Sequence, residues 1–145
     1  RSLIMRSDIL NQNSQQTGGV KKKVVHVDAD ITLTNDDSGK VFLLSATGGT
    51  VAVTLPTSLE DGVYYKFIVE EETPSNAITI AAGSAIVSFV GLDVSGTLAS
   101  TAGTQVSNVI IGTSAEKADS IDLMAAGGEW VGTALSGING SVTTS

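Results

Sequence analysis

Between residues 24 and 135 the chain alternates apolar and polar positions with a period of two, in short runs punctuated by Gly, Asp, Asn and Pro. The clearest run sets Val63, Tyr65, Phe67 and Val69 against Tyr64, Lys66, Ile68 and Glu70. Successive side chains of a strand point to opposite faces, so this run predicts a half-buried strand. Ile31 and Leu33 alternate with Thr32 and Thr34, a strand follows over residues 41–45, and Val51, Val53 and Leu55 share a face until Pro56. Pro cannot donate to a ladder and ends that run. Ile78 with Ile80, then residues 85–90, 106–111, 120–124 and 129–135, complete the set.

The breaks between these runs carry turn chemistry. Residues 34–39, TNDDSG, combine Asn and Asp, which hydrogen-bond nearby backbone, with a Gly that tolerates positive φ. Residues 47–49, 60–62, 73–76 and 125–128 read as further turns, and residues 91–104 as a loop of small residues or a weak strand. About eight to ten strands at spacings of about 8–12 residues predict a sandwich or barrel. No long segment holds a helical apolar stripe, although residues 114–119 have room for one helical turn. Parallel pairs need long crossovers, commonly helical, so pairing is predicted to be mainly antiparallel. The expected fold is all-β: an antiparallel, jelly-roll-like β-sandwich over residues 24–136, an extended N-terminal arm over residues 1–23 and a polar C-terminal tail over residues 137–145.

Two runs, residues 85–90 and 106–111, are apolar on both faces. An antiparallel sheet usually wets one face, and a large bare apolar patch is a liability on a monomer. Ile86, Val87, Phe89, Val90, Val109, Ile110 and Ile111 are therefore expected to meet another subunit. A central strand covered by the chain's own loops is the competing account.

With 145 residues, one domain can bury a sufficient core. No cysteine is present, which excludes disulfides and thiolate metal sites. No apolar run approaches the ~20 residues of a membrane span, and Leu3, Ile4 and Met5 are too few for a signal-peptide core.

Charge divides the chain. Residues 1–23 hold Arg1, Arg6, Lys21, Lys22 and Lys23 against Asp8, while the rest holds three lysines against fourteen acids, for an overall −7. An acidic body repels nucleic acid, and a basic arm seeks an acidic partner. The bland reading of the three lysines is a solvated run ahead of the first strand. Residues 11–19, NQNSQQTGG, suit an extended linker, and Leu3, Ile4, Ile9 and Leu10 are enough to dock on something but not to form a core.

Catalytic constellations are missing from the pattern. His26, the only histidine, alternates with Val25 and Val27 and reads as a structural strand residue. Glu70, Glu71 and Glu72 read as a solvated turn that blunts an edge. Asp28, Asp30, Asp36 and Asp37 lack calcium-loop spacing and suit turn capping. Trp130, the only tryptophan, is expected in or beside the core. The glycine pairs match no phosphate-binding pattern. Neither catalysis, metal nor cofactor is expected.

The turn Asp37-Ser38-Gly39-Lys40, Thr54-Leu55-Pro56, Gly62-Val63-Tyr64-Tyr65-Lys66-Phe67, Ile78-Thr79-Ile80 and the late Glu129-Trp130-Val131 occur in an order that resembles the β-domains of tailed-phage virion surface proteins: head-decoration, head-fibre and tail-fibre types. The resemblance covers roughly residues 30–135 and implies a virion surface protein without catalytic residues, frequently trimeric. The expectation is a capsid decoration, or cement, protein on the outer surface of the shell. It would meet the major capsid protein through Arg1, Leu3, Ile4, Arg6, Ile9, Leu10, Lys21, Lys22 and Lys23 and itself as a homotrimer, with no nucleic-acid or membrane partner. The alternatives are a fibre module that binds a host glycan and a secreted adhesin-like domain.

Overall fold

The structure is a computed structural model that describes residues 21–83, 87–93, 98–100, 106–138 and 141–145, with only the backbone for 87–93 and 98–100. Twelve strands are described: β1 (Val24–Val27), β2 (Ile31–Thr32), β3 (Val41–Leu44), β4 (Val51–Thr54), β5 (Tyr64–Val69), β6 (Ile78–Ala81), β7 (Val87–Asp93), β8 (Leu98–Ser100), β9 (Asn108–Ile111), β10 (Ser120–Ala126), β11 (Glu129–Ser136) and β12 (Val142–Thr144). The sole helical element among the described residues is a 3-10 turn, Asn35–Asp37, inside the turn expected at residues 34–39.

The strands form a seven-stranded sheet, ordered β1-β3-β5-β10-β11-β7-β8, and a five-stranded sheet, ordered β12-β9-β6-β4-β2. The expected all-β sandwich is what the chain forms. Its pairing differs from the expectation: β1–β3, β3–β5, β2–β4, β4–β6 and β7–β11 are parallel, as many ladders as are antiparallel. The winding is correspondingly unlike a jelly roll. From β1 to β6 the chain passes back and forth between the sheets, so each strand in one sheet serves as the crossover between two parallel neighbours in the other. A short strand across the sandwich does the work that a helix does in an α/β unit, and alternation alone cannot distinguish the two arrangements.

The later strands pair locally. β10 and β11 form a hairpin from Ser120↔Leu135 to Ala126↔Glu129. Its two-residue turn uses Gly127 (φ 63°) and Gly128 (φ 84°), the positive pair that matches the twist of flanking strands. This hairpin lies between β5 and β7, antiparallel to the first and parallel to the second. The expected C-terminal tail is also a correction: β12 pairs with β9, and Val142 joins the core. Enough apolar surface is gained by Val142 to recruit a segment that reads as polar. Residues 91–104, expected as a loop or a weak strand, contribute to strands in part, in β7 and β8. Residues 114–119 form turns, with Ala115 N–H donating to Gly112 O and Asp119 N–H to Glu116 O.

The core lies between the sheets. Tyr65, Phe67 and Val69 from β5 face Val51 and Val53 from β4, Ile78 and Ile80 from β6, and Val109 and Ile111 from β9 within one buried cluster. Phe42 stacks on Phe67 at 5.6 Å, and Tyr65 lies 5.4 Å from Trp130, which is fully buried as expected.

Tyr65 ties this core to the turn below it, its hydroxyl donating to Thr34 O at 2.6 Å. Burial, with the Asp37 carboxylate adding to it, pushes that hydroxyl up to about 12. In the unfolded chain a tyrosine ionises near pH ~10. Between the two values the unfolded chain has lost a proton that the folded one keeps, so stability is intact below about pH 10 and falls as the pH rises toward about 12. The expected loss is roughly 2–3 kcal/mol across that window. Tyr65→Phe should remove this alkaline loss while costing ~1 kcal/mol at neutral pH. Urea titrations at about pH 8 and pH 11.5 check both; a Tyr65→Phe protein with an undiminished alkaline loss would contradict the assignment.

Candidate interaction surface

The two outer faces of the sandwich differ in chemistry. The five-stranded sheet presents Thr32, Ala52, Thr54, Thr79, Ala81, Asn108, Ile110 and Thr143 outward, a face of mostly small or polar side chains. The seven-stranded sheet presents larger apolar ones. Registers align His26, Leu43, Ile68, Ser120 and Leu135 in one row, and Val24, Val41, Lys66, Asp122 and Thr133 in the next. A third row holds Tyr64, Met124 and Val131. The large hydrophobics that are exposed among the described residues, Val24 (50%), Met124 (43%) and Leu135 (57%), all lie on this face. Leu43, Ile68 and Val131 are half-buried there. Val41 is buried yet stands outside the core cluster, covered on the outer side by its neighbours.

A polar spine crosses the middle of the face. Lys66 Nζ lies 3.7 Å from Asp122 Oδ2, and the Tyr64 hydroxyl donates to Asp122 Oδ1 at 3.0 Å. Burial first, then the hydrogen bond to Asp122, raises the Tyr64 hydroxyl above its ordinary value. Lys22 extends the spine, its Nζ 5.4 Å from the centre of the Tyr64 ring, within cation–π range. Gly39, whose N–H donates to Tyr64 O, leaves the space beside Tyr64 open, with nothing within 4 Å of where a Cβ would stand.

The expected anchoring residues divide at the start of the described chain. Arg1, Leu3, Ile4, Arg6, Ile9 and Leu10 lie outside the described residues. Lys21, Lys22 and Lys23 are exposed and lead directly into β1, at the edge of the seven-stranded sheet. The Lys23 carbonyl accepts from Val41 N–H at 2.9 Å, which fixes the direction of entry.

The expected subunit-contact residues also divide. Ile86 lies outside the described residues. Val87, Phe89 and Val90 belong to β7, paired with Trp130, Gly132 and Thr133. Val109 and Ile111 are core residues of this chain, at 0% and 1% exposure, because β9 is an inner strand whose second neighbour is β12. Of Val109, Ile110 and Ile111, Ile110 alone is on an outer face. Among the described side chains, unburied apolar ones gather on the outer face of β1, β3, β5, β10 and β11. One signal for it is legible: VFLL at β3 is four apolar residues in a row, although an inner strand reads the same way.

The candidate chemical groups have structural partners. His26 is exposed, and its Nδ1 lies 3.1 Å from Glu70 Oε1, across the end of β3. Glu71 Oε1 accepts from Ala46 N–H, and Asp30 Oδ1 from Ala52 N–H at 2.8 Å. Asp37 closes the capping box of the 3-10 turn, accepting from Thr34 N–H and pairing with Lys40; those two contacts, the lysine first, lower its carboxyl below the usual range. Among the described residues no group of three or more His, Cys, Asp or Glu is placed to hold a metal ion.

One buried cluster had no sequence signal. Asp119, 6% exposed, accepts from Gly137 N–H (2.8 Å) at Oδ1, and from Glu116 N–H (3.0 Å) and the Ser136 hydroxyl (2.9 Å) at Oδ2. Ser141, 1% exposed, packs its hydroxyl against that of Ser136. The cluster joins the turn before β10 to the connection between β11 and β12. It holds no histidine or lysine to act as a base, and its geometry is that of a fastening. No protein-family model matches the chain, and no curated protein is significantly similar to it.

Proposed function

We propose that the protein is a structural virion component, a capsid decoration protein that binds the outside of an assembled shell and adds contact between its subunits. The observation that carries this reading is the separation of charge: a body with net −11 beyond residue 23 behind a leading segment with net +4. The ordered turn and strand punctuation that resembles virion β-domains supports the same reading. In it, Leu3, Ile4, Ile9 and Leu10 seat against the major capsid protein while Arg1, Arg6 and the three lysines pair with its acidic groups. The sandwich projects outward, as a trimer. Binding only the assembled shell stabilises that state by mass action.

Full-length protein is expected to co-sediment with DNA-free shells, and the double variant Arg1→Glu, Arg6→Glu to lose at least tenfold in occupancy. Both positions precede β1 in the sequence, and the circular dichroism spectrum of the variant is expected to match that of the wild type. Equal occupancy of the variant would refute the arm's role. Binding of the isolated protein to a host glycan array, without shell binding, would instead favour a fibre module.

A further inference from the structure

We infer that the open edge of β1 is a docking site for an extended acidic segment of a partner protein, which adds to the seven-stranded sheet as one more strand. The inference concerns any partner of that chemistry and does not rest on the virion reading.

β1 ends its sheet, with β3 as its one neighbour. Along a strand, the backbone groups of successive residues point alternately to the two sides in the plane of the sheet. Val41 N–H donates to Lys23 O and Ser45 N–H to Val27 O, both at 2.9 Å, so the odd-numbered residues of β1 serve β3. The N–H and C=O groups of Val24 and His26 therefore face the open side, and no described residue pairs with them there. Such a row is a template for strand addition. Of the four sheet edges among the described residues, β1 with four residues is longer than β2 with two or β8 and β12 with three each. It contains neither Pro nor Gly. The Lys23 contact carries its ladder one residue further back.

Charge selects the occupant. Lys21, Lys22 and Lys23 are exposed at the entry to this edge. Lysines commonly guard an edge against strand addition. A guard of one sign repels cationic strands and admits acidic ones. Residues 1–20 hold Arg1 and Arg6 against Asp8, so charge does not draw the chain's own leading segment to the site. A second copy of the edge fits poorly as well. It stops at Val27, where the chain leaves for β2 in the other sheet, and cannot continue alongside the lysines. An independent segment can, with acids beside Lys21, Lys22 and Lys23 and an apolar side chain beside Val24, which is 50% exposed. Asp28 is exposed past the far end and disfavours acids there, so the segment's charge belongs at one end. Antiparallel addition, the more stable ladder, sets that charge at the segment's C-terminal end.

The test uses the full chain and a synthetic peptide of alternating Thr and Val that ends in three Glu. Backbone hydrogen exchange, read by NMR, is expected to slow at least tenfold at Val24 and His26 when the peptide is added. His26→Pro removes one open-side donor and leaves the ladder with β3 intact, since Pro is tolerated where the N–H faces outward from an edge. It should raise the peptide's Kd at least tenfold with an unchanged circular dichroism spectrum, and so should Lys21→Glu with Lys23→Glu. The peptide with Pro for a central Val should lose as much affinity for the unaltered protein, a result independent of how well any variant folds. A peptide that ends in three Lys should not bind. Unchanged exchange at Val24 and His26 under saturating peptide overturns the inference. Equal affinity for His26→Pro overturns it too, because charge attraction alone would then explain the binding. Val24 and His26 amides that are already protected in the free chain, by its own residues 1–20 or by a second copy, are a third result against it. A protein that takes up the peptide at this edge and fails to bind shells counts against the virion reading and leaves this inference standing.

Discussion

Asp119→Ala is expected to destabilise the protein by about 3–4 kcal/mol. Hydrogen bonds to a charged acceptor contribute ~1.5–3 kcal/mol each. Here the backbone N–H groups of Glu116 and Gly137 and the Ser136 hydroxyl lose their acceptor together. Water entering the vacated space recovers part of the loss, which is why the expected total is below the sum. The damage should not stay local. The backbone carbonyl of Asp119 accepts from Val69 N–H, and Ser141 O accepts from Gly112 N–H, so the same turn holds the end of β5 and the entry to β12. Asp119→Asn keeps one acceptor oxygen but turns an NH2 toward an N–H donor, and should fall between wild type and alanine. Urea midpoints rank the three proteins; an alanine variant within ~0.5 kcal/mol of wild type would show that the fastening is dispensable.

Gly132→Ala is expected to cost about 3 kcal/mol or more, although the change adds one methyl group. A Cβ on Gly132 would stand 1.9 Å from Asp122 O and 2.8 Å from Leu123 Cδ2. The first of these atoms is backbone, so relief requires β10 and β11 to part at the Leu123–Gly132 pair of the hairpin. Overpacking typically costs ~1–3 kcal/mol when side chains can adjust, and more when they cannot. A glycine inside a strand often marks a close approach of this kind. Gly48→Ala is the control: no atom lies within 4 Å of its added Cβ, and a change within ~0.5 kcal/mol is expected. Thermal midpoints of the pair measure the difference. Equal midpoints would mean that the hairpin does not hold this separation.

Much of the strand content was legible because half-burial imposes period two on the sequence. β5 and the β10–β11 hairpin are clear cases: Tyr65, Phe67 and Val69 point inward from one, and Gly127-Gly128 permits only a tight turn in the other. Pairing direction was not legible. Val51–Thr54 reads identically whether its neighbours run with it or against it, and the choice is made by which sheet the intervening strand enters. The C-terminal strand was hidden because Val142 is its only large apolar residue, and burial of one side chain beside β9 outweighs a polar neighbourhood. The exposed apolar side chains of the seven-stranded sheet drew no notice in the sequence for a related reason. The apolar residues of β9 look two-sided, yet Val109 and Ile111 are on the inner side, while Met124 directly follows the inward-facing Leu123 and Leu135 sits singly between Ala134 and Ser136. Asp119 lies 17 residues before Ser136 and all three residues are of common type, so only the fold shows that Asp119, Ser136 and Ser141 form a cluster.

The back-and-forth course of the first six strands has a consequence for biosynthesis. During translation β1 to β8 emerge with a gap in the larger sheet, since the two strands that join β5 to β7 are still to be made. The nascent chain therefore presents two open strand edges, those of β5 and β7, until β10 and β11 have been made. Premature termination before β10 would release a polypeptide whose unfilled centre invites strand addition by other chains, which makes such fragments substrates for chaperones or proteases rather than partly working proteins.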